Sequence, residues 1–245
     1  MIIKGDLNAL ESKMEHRLWP IPKTKWSFYQ EWNDVLFLHY NVNKRALMRY
    51  VPKSLELDNF DGNYWVSIVA FDMKNIRPRQ LPAVPLVSDF REVNIRTYVR
   101  RGGKQGVYFL KINADNALSC LIAKTISGLP YRHAKMNRSK NSFYVKSQSS
   151  SLSIDYTVKN TILNTTALDR WLTERYALFM KENNRTFRFD IHHEPWKLKH
   201  LEFIQISIDQ PEFCSLINRP PVLSHYAEGI KVLAWNKVLE VSNYS

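Results

Sequence analysis

Glycine is scarce in this chain, with seven residues in 245. Loops that cradle phosphate are glycine-rich, and no P-loop, G-x-G-x-x-G or G-x-S-x-G occurs, so the nucleotide-binding and serine-hydrolase classes built on those motifs lose their main support. Cysteine is scarcer still. Cys120 and Cys214 show no C-x-x-C spacing, which argues against a disulfide framework or a zinc ribbon and for a reducing, cytoplasmic setting. No apolar run reaches the roughly 18 residues of a membrane-spanning helix. The N-terminal MIIKGDLNALESKMEHRLWP mixes both charge signs and has no apolar h-region, so no signal peptide is expected. Acids are few where bases are many. Between Arg91 and Lys146 twelve Lys or Arg stand against two acids, Glu92 and Asp115, a local balance of +10 within a net charge of +12. Such a field attracts anions. It fits a solvated basic surface, a pocket for an anionic small molecule, or a nucleic-acid patch. With no helix-turn-helix or RNP-type motif in the segment, nucleic acid ranks last.

What the chain does have is aromatic and apolar substance. Hydrophobic residues make up 44% and aromatics 13%, enough for a large core and suited to pleated, half-buried surfaces. With no internal repeat, composition break or linker, residues 1–245 read as one domain. Residues 1–25 read as an extended N-terminal arm, because Trp19-Pro20-Ile21-Pro22 opposes helix. Strands are expected at Val35–Val42, Tyr64–Phe71, Glu92–Arg100, Val107–Ile112, Phe143–Lys146, Leu152–Val158, Thr186–His192, Leu201–Ile208 and Gly229–Trp235. Asp61-Gly62 and Gly102-Gly103 mark hairpin turns, and residues 76–89, with three prolines, read as a loop. Helices are expected near 44–51, capped by Asn43, near 116–127, capped by Asp115, and near 167–181. The last opens on the capping box Thr166–Asp169 and carries Leu168, Leu172, Tyr176 and Phe179 on one face. Many strands with a few short helices give an α+β, β-dominated domain around an antiparallel sheet or barrel.

The segments HRLWPIP, WNDVLFLHYNVNKRALMRYVPKSLELD, NYWVSIVAF, FREVNIRTYVR, GVYFLKINAD, GLPYRHAKM, LDRWLTERY, IHHEPWKL and HYAEGIKVLAW, taken in order, resemble the uncharacterised YqjF-like family. That family is similar in turn to acetoacetate decarboxylase. The resemblance implies a closed, antiparallel, double-cone β-barrel with an interior polar cavity. It carries two decarboxylase motifs onto this chain. The aromatic-x-Glu element falls on Phe90-Arg91-Glu92 and implies that Glu92 faces the cavity. The aromatic-Pro-Lys-Lys element falls on Leu129-Pro130-Tyr131-Arg132, so Tyr131 stands where the family has its Schiff-base lysine and Arg132 stands for the neighbouring cation. A phenol cannot condense with a carbonyl. Schiff-base decarboxylation of acetoacetate is therefore not expected, and Lys135 and Lys111 are the lysines to check as substitutes.

Alternation along Glu92–Arg100 puts Glu92, Asn94, Arg96, Tyr98 and Arg100 on one face and Val93, Ile95, Thr97 and Val99 on the other. If the polar face turns inward, Arg96 binds a carboxylate bidentately and Glu92 handles a proton. In the basic stretch Tyr131–Arg138, Tyr131 is expected to donate to a ligand carbonyl, with its pKa lowered beside Arg132, and His133 adds an imidazole. The candidate catalytic residues are thus Glu92 and Tyr131, and the candidate binding residues are Asn94, Arg96, Tyr98, Arg132, His133 and Arg138. His39, in an apolar strand, reads as a satisfied core residue. In His192-His193-Glu194 neighbouring strand histidines point to opposite faces, so no metal site is expected, and no cofactor. The expected ligand is a small anionic or carbonyl-bearing molecule, either transformed or merely bound by a sensory module. The oligomeric state is left open. Burial of Glu92 and Arg96 in one cavity favours the small molecule, and an open basic face favours nucleic acid.

Overall fold

The computed structural model describes residues 4–241. In chain order its elements are α1 (Lys4–Ser12), β1 (Phe28–Val42), α2 (Lys44–Leu47), β2 (Glu56–Leu57), β3 (Tyr64–Pro78), α3 (Pro85–Ser88), β4 (Phe90–Arg101) and β5 (Lys104–Ala114). There follow α4 (Ala117–Ser127), β6 (Tyr131–His133), β7 (Lys135–Ser139), β8 (Ser142–Lys146), β9 (Ser151–Thr161), α5 (Ala167–Thr173), β10 (Ala177–Glu182) and β11 (Arg185–His192). The chain ends on β12 (Lys199–Asp209), a 3-10 turn at Pro211–Phe213, β13 (Leu223–Ala234) and β14 (Val238–Leu239).

Seven of these strands form a ring in the order β1, β3, β4, β5, β10, β11, β13 and back to β1. Six of the neighbour pairs are antiparallel, and β10 on β5 is parallel. An odd ring cannot alternate direction all the way round, so the antiparallel barrel expected from the sequence must contain at least one parallel step. It falls where the chain makes its longest crossover, from β5 through α4 and α5 to β10. The free edge of β13 is shared. Its C-terminal end pairs with β11 and closes the ring, and its N-terminal end pairs with β12, which leads into a second sheet of β12, β9, β8 and β7. Bulges bend the long strands. Register shifts in β1 flank Asp34, which has a positive φ of 50°, and Asn75 in β3 has a φ of 54°.

Strands β1, β3 and β4 are buried on both faces. Outward, Leu36, Leu38, Ile68, Val93 and Ile95 pack against Phe143 and Ile154 of the second sheet. Inward, the same strands line the barrel. This double burial is why their sequences run almost continuously apolar.

Several expected boundaries move. The extended arm contains helix α1, whose Leu10 is buried with Trp26, Tyr29, Leu233 and Trp235, because the prolines at 20 and 22 oppose helix only around themselves. Asn116, not Asp115, caps α4 by accepting from the Ser119 N–H, and Asp115 instead takes the Arg91 backbone N–H and guanidinium at 2.7 and 2.8 Å. The proline-rich loop at 76–89 is partly ordered, as the end of β3 and the single turn α3. Helix α5 stops at Thr173, and Ala177–Met180 become a strand buried on both faces. A short, fully buried apolar run has no amphipathic period to separate helix from strand.

At the parallel step the backbones come very close. A Cβ on Gly106 would lie 2.5 Å from the Ala177 carbonyl oxygen and 2.8 Å from Phe179. Gly106→Ala is therefore expected to destabilise the fold by about 1–3 kcal/mol through overpacking, while Leu163→Ala, at a side chain 89% exposed, changes stability by less than about 0.5 kcal/mol. Chemical denaturation of the two variants checks the contrast.

Candidate functional site

Inward-facing side chains of the ring enclose a cavity of about 620 Å³. Val35 and Phe37 of β1, Val69 and Phe71 of β3, Phe109 of β5 and Trp196 form much of its wall. The polar interior expected from the sequence is thus apolar over most of its surface, because alternation on strands this aromatic turns rings inward as well as out. Glu92, Asn94 and Arg96 form a polar strip along β4, and Thr173, Arg175, His193 and Lys237 are among the polar side chains that line the cavity from other elements.

Tyr131 reaches that strip through the end of α4. Gly128, with φ 78°, closes the helix by donating to the Lys124 carbonyl at 2.9 Å, and β6 then pairs parallel to β5 with Tyr131 opposite Ile112. The Tyr131 hydroxyl donates to Glu92 Oε2 at 2.8 Å, and the Asn94 amide donates to Oε1 at 3.0 Å. Burial disfavours the carboxylate and outweighs both hydrogen bonds, so the Glu92 carboxyl is pushed up to about 7. At neutral pH it is poised to give or take a proton. Tyr131 shifts opposite to the sequence expectation. Burial first, then the Glu92 charge, hold its phenol well above the ordinary value. Arg132 does not offset this, because it alternates to the exposed side of β6. Tyr131 is a neutral hydrogen-bond donor.

Arg96 lies deeper, toward the end closed by α5. It is 8% exposed. Its Nη2 donates to the Leu172 carbonyl at 3.2 Å and its guanidinium lies 5.7 Å from the Phe37 ring centre, but its Nε has no partner. Among the described residues no carboxylate pairs with it. Arg175, on the same floor, is neutralised by Asp58 at 2.8 Å and leaves Nη2 unpartnered. His193 also lines the cavity, and burial lowers its pKa to about 4, so it adds no charge. Beneath them runs a buried chain of hydrogen bonds. Asp169 meets His225 at 3.0 Å, His225 meets His39 at 3.2 Å, His39 meets Ser67 at 2.7 Å, and Ser67 meets Tyr98 at 2.6 Å.

Of the residues singled out from the sequence, Glu92, Asn94, Arg96 and Tyr131 line the one cavity. The others do not. Tyr98 follows the same alternation but lies below the floor, donating to the Leu172 carbonyl at 2.9 Å. Arg132 and His133 are exposed. Arg138 pairs with Asp72 at 2.8 Å, its guanidinium over Phe143 on the side of the second sheet. Lys111 bonds Ser150 and Gln210 away from the cavity, and Lys135 is exposed. The lysine that does line the cavity is Lys237, at its mouth, paired with Glu182 at 2.7 Å. Arg175, His193 and Trp196 carried no sequence signal that separated them from core. The segment 91–146 does not form one basic face, since Arg96 and Lys111 are buried and Arg91, Arg100 and Arg138 pair with acids.

Comparison with known proteins follows this geometry. The sequence profile of a family described as "Uncharacterized conserved protein", DUF2071, matches residues 29–231. The "Uncharacterized protein YqjF" of Bacillus subtilis (strain 168) is 38% identical over 232 residues, covering 88% of this chain and 93% of that protein. Among solved structures, the enduracididine biosynthesis enzyme MppR complexed with pyruvate superposes with a TM-score of 0.62 at 15% identity, covering 94% of this chain and 95% of its own. Acetoacetate decarboxylase from Legionella pneumophila gives a TM-score of 0.60 at 15% identity, covering 96% and 94%. The fold is the α+β, β-dominated acetoacetate-decarboxylase-like one.

The raised Glu92 pKa has a stability consequence. Between the ordinary value of 4.5 and about 7 the folded state holds a proton that the unfolded state has released, so ionising Glu92 destabilises the fold as pH rises through that window. Glu92→Gln removes the effect. The variant is expected to match the wild type near pH 4 and to gain on it, by on the order of 3 kcal/mol, as pH rises to 8. Denaturation midpoints at a series of pH values read this directly.

Proposed function

The chain belongs to the YqjF-like DUF2071 family of uncharacterised conserved proteins, and on that footing we propose that it binds a small carbonyl-bearing carboxylate in the barrel and moves protons on it without a Schiff base. Arg96 carries this reading. A buried guanidinium without a carboxylate is costly unless an anion completes it, and the Arg96 Nε atom has no partner. A ligand carboxylate supplies the missing charge. Glu92 and Tyr131 then stand along the same strip as a proton-exchanging acid and a neutral donor to a carbonyl oxygen. MppR, which shares the fold and is a pyruvate complex, makes oxo acids the first compounds to try, with the carbonyl far enough along the chain to reach Glu92 and Tyr131 from a carboxylate at Arg96. A cytoplasmic location goes with this reading, since a reducing compartment suits the unpaired Cys120 and Cys214. Among the described residues no helix is long and apolar enough to cross a membrane.

The runner-up is a binding or sensory module that uses the same cavity without turnover. The mainly apolar wall favours it. Turnover of small carboxylates and aldehydes separates the two. Nucleic-acid binding through residues 91–146 ranks third, because their cations are divided between interior and surface.

Two outcomes are expected. By calorimetry, an oxo acid binds more tightly than the amide of the same skeleton, and Arg96→Ala costs about 2–5 kcal/mol of that binding. Equal affinity of acid and amide contradicts the reading. Borohydride treatment with acetoacetate, followed by intact-mass measurement, gives no adduct. A stable adduct on Lys237, Lys111 or Lys135 contradicts the non-covalent assignment. Tyr131→Lys tests the motif alignment from the other side, and an adduct gained there supports it.

A further inference from the structure

The cavity is too long for a two- or three-carbon head group alone. Its 620 Å³ equals about twenty water volumes and sits within the range of sites that enclose drug-sized ligands. Along β4 the lined stretch runs from Phe90 to Arg96, about 20 Å of strand. Glu92 and Arg96 are themselves separated by about 13 Å of it. The Arg96 end is closed by α5 and charged. The other end is open and mainly apolar, and Lys237 beside it is paired with Glu182. Leu81, Val84, Ile122 and Ile126 line the cavity and yet are 59%, 51%, 37% and 54% exposed. They belong to the segment around α3 and to α4, and exposed Leu86, Leu118 and Leu121 continue the surface outward on the same elements. An apolar mouth leading past aromatic walls to one unpaired buried cation is a gradient from tail to head.

We infer that the natural ligand is an elongated amphiphile, a single-chain carboxylate whose head meets Arg96 and whose apolar body extends past Glu92 and Tyr131 to the mouth between α3 and α4. This rests on the reading of Arg96 as an anion site and adds the shape of the ligand to it. Each methylene that enters the tube leaves water and improves binding by roughly fourfold. Glu92 and Tyr131 then face the chain some distance from the head rather than the carboxylate itself. Ala123, half-buried in the α4 wall of the mouth, sets how far the tail can extend.

Titration calorimetry or ligand-induced shifts in melting temperature on the full chain, with straight-chain carboxylates from butanoate to dodecanoate and their amides, test this. The expected result is an affinity that rises severalfold per methylene and levels off once the tail reaches the mouth. Ala123→Phe is expected to lose tenfold or more for the longest acids and to leave butanoate unchanged. Affinity that varies less than twofold from four carbons to ten overturns the inference, even if acids still outbind amides and the anion site stands. Amides that match acids at every length, with the length dependence intact, overturn the anion site instead and leave an apolar tube.

Discussion

Two ladder positions, Ile191 opposite Ala234 and His192 opposite Leu233, join β11 to β13 and close the ring of strands. This seam decides what the rest of the molecule can be. Without it β11 and β10 would form the edge of an open sheet, and the inward rings of β1, β3 and β4 would face water. With it, those side chains share an enclosed space, and any polar group there must find a partner inside or remain unsatisfied. The seam is short because β13 has a second task, pairing with β12 to start the outer sheet. One strand therefore holds both layers together.

Enclosure gives the strip on β4 its chemistry. In water, Glu92 would be an ordinary carboxylate and Arg96 an ordinary surface cation. Inside the ring the same burial raises the Glu92 carboxyl to about 7 and leaves Arg96 without a counter-charge. The neighbouring groups sharpen this difference. Arg175 is cancelled by Asp58, and the buried histidines are pushed toward their neutral forms. The net effect is one uncompensated cation on the floor and one proton-exchanging acid farther up the wall. The chain of hydrogen bonds from Asp169 to Tyr98 fixes that floor, since Tyr98 and Arg96 both donate to the Leu172 carbonyl. The two roles are separated along the barrel axis rather than fused in one cluster, as they would be around a nucleophilic lysine.

Nine of the strands, β1, β3, β4, β5, β8, β9, β11, β12 and β13, and the starts of α2, α4 and α5 were legible because each carried a local signal. Asn43 and the Thr166–Asp169 box cap helices as expected, and the alternation of Glu92–Arg100 correctly separated the Val93/Ile95 face from the Glu92/Arg96 face. Family resemblance supplied the direction of that face, which alternation alone cannot give. The losses came where tertiary contacts overrode local pattern. The run Ala177–Met180 looks helical in continuation of α5 because burial on both faces erases its period. Tyr98 obeys the alternation but falls on the far side of the floor, a boundary set by α5 from 70 residues away. Arg132, His133 and Arg138 were grouped with Tyr131 by adjacency, yet β6 and β7 turn them outward or toward the second sheet. Arg175 and His193 reach the cavity from segments whose residue types, an arginine after a helix and a histidine before Pro195, occur as often in ordinary packing.

The central claim is that Arg96 holds an anion inside the barrel. A crystal structure of the protein with a bound carboxylate, grown or soaked at near-neutral pH, tests it most directly. The account predicts carboxylate density within hydrogen-bonding distance of Arg96, with the remainder of the molecule leading past Asn94 and Glu92. Density for the carboxylate only on exposed cations such as Arg132, with the Arg96 guanidinium paired to a protein carboxylate, would contradict it.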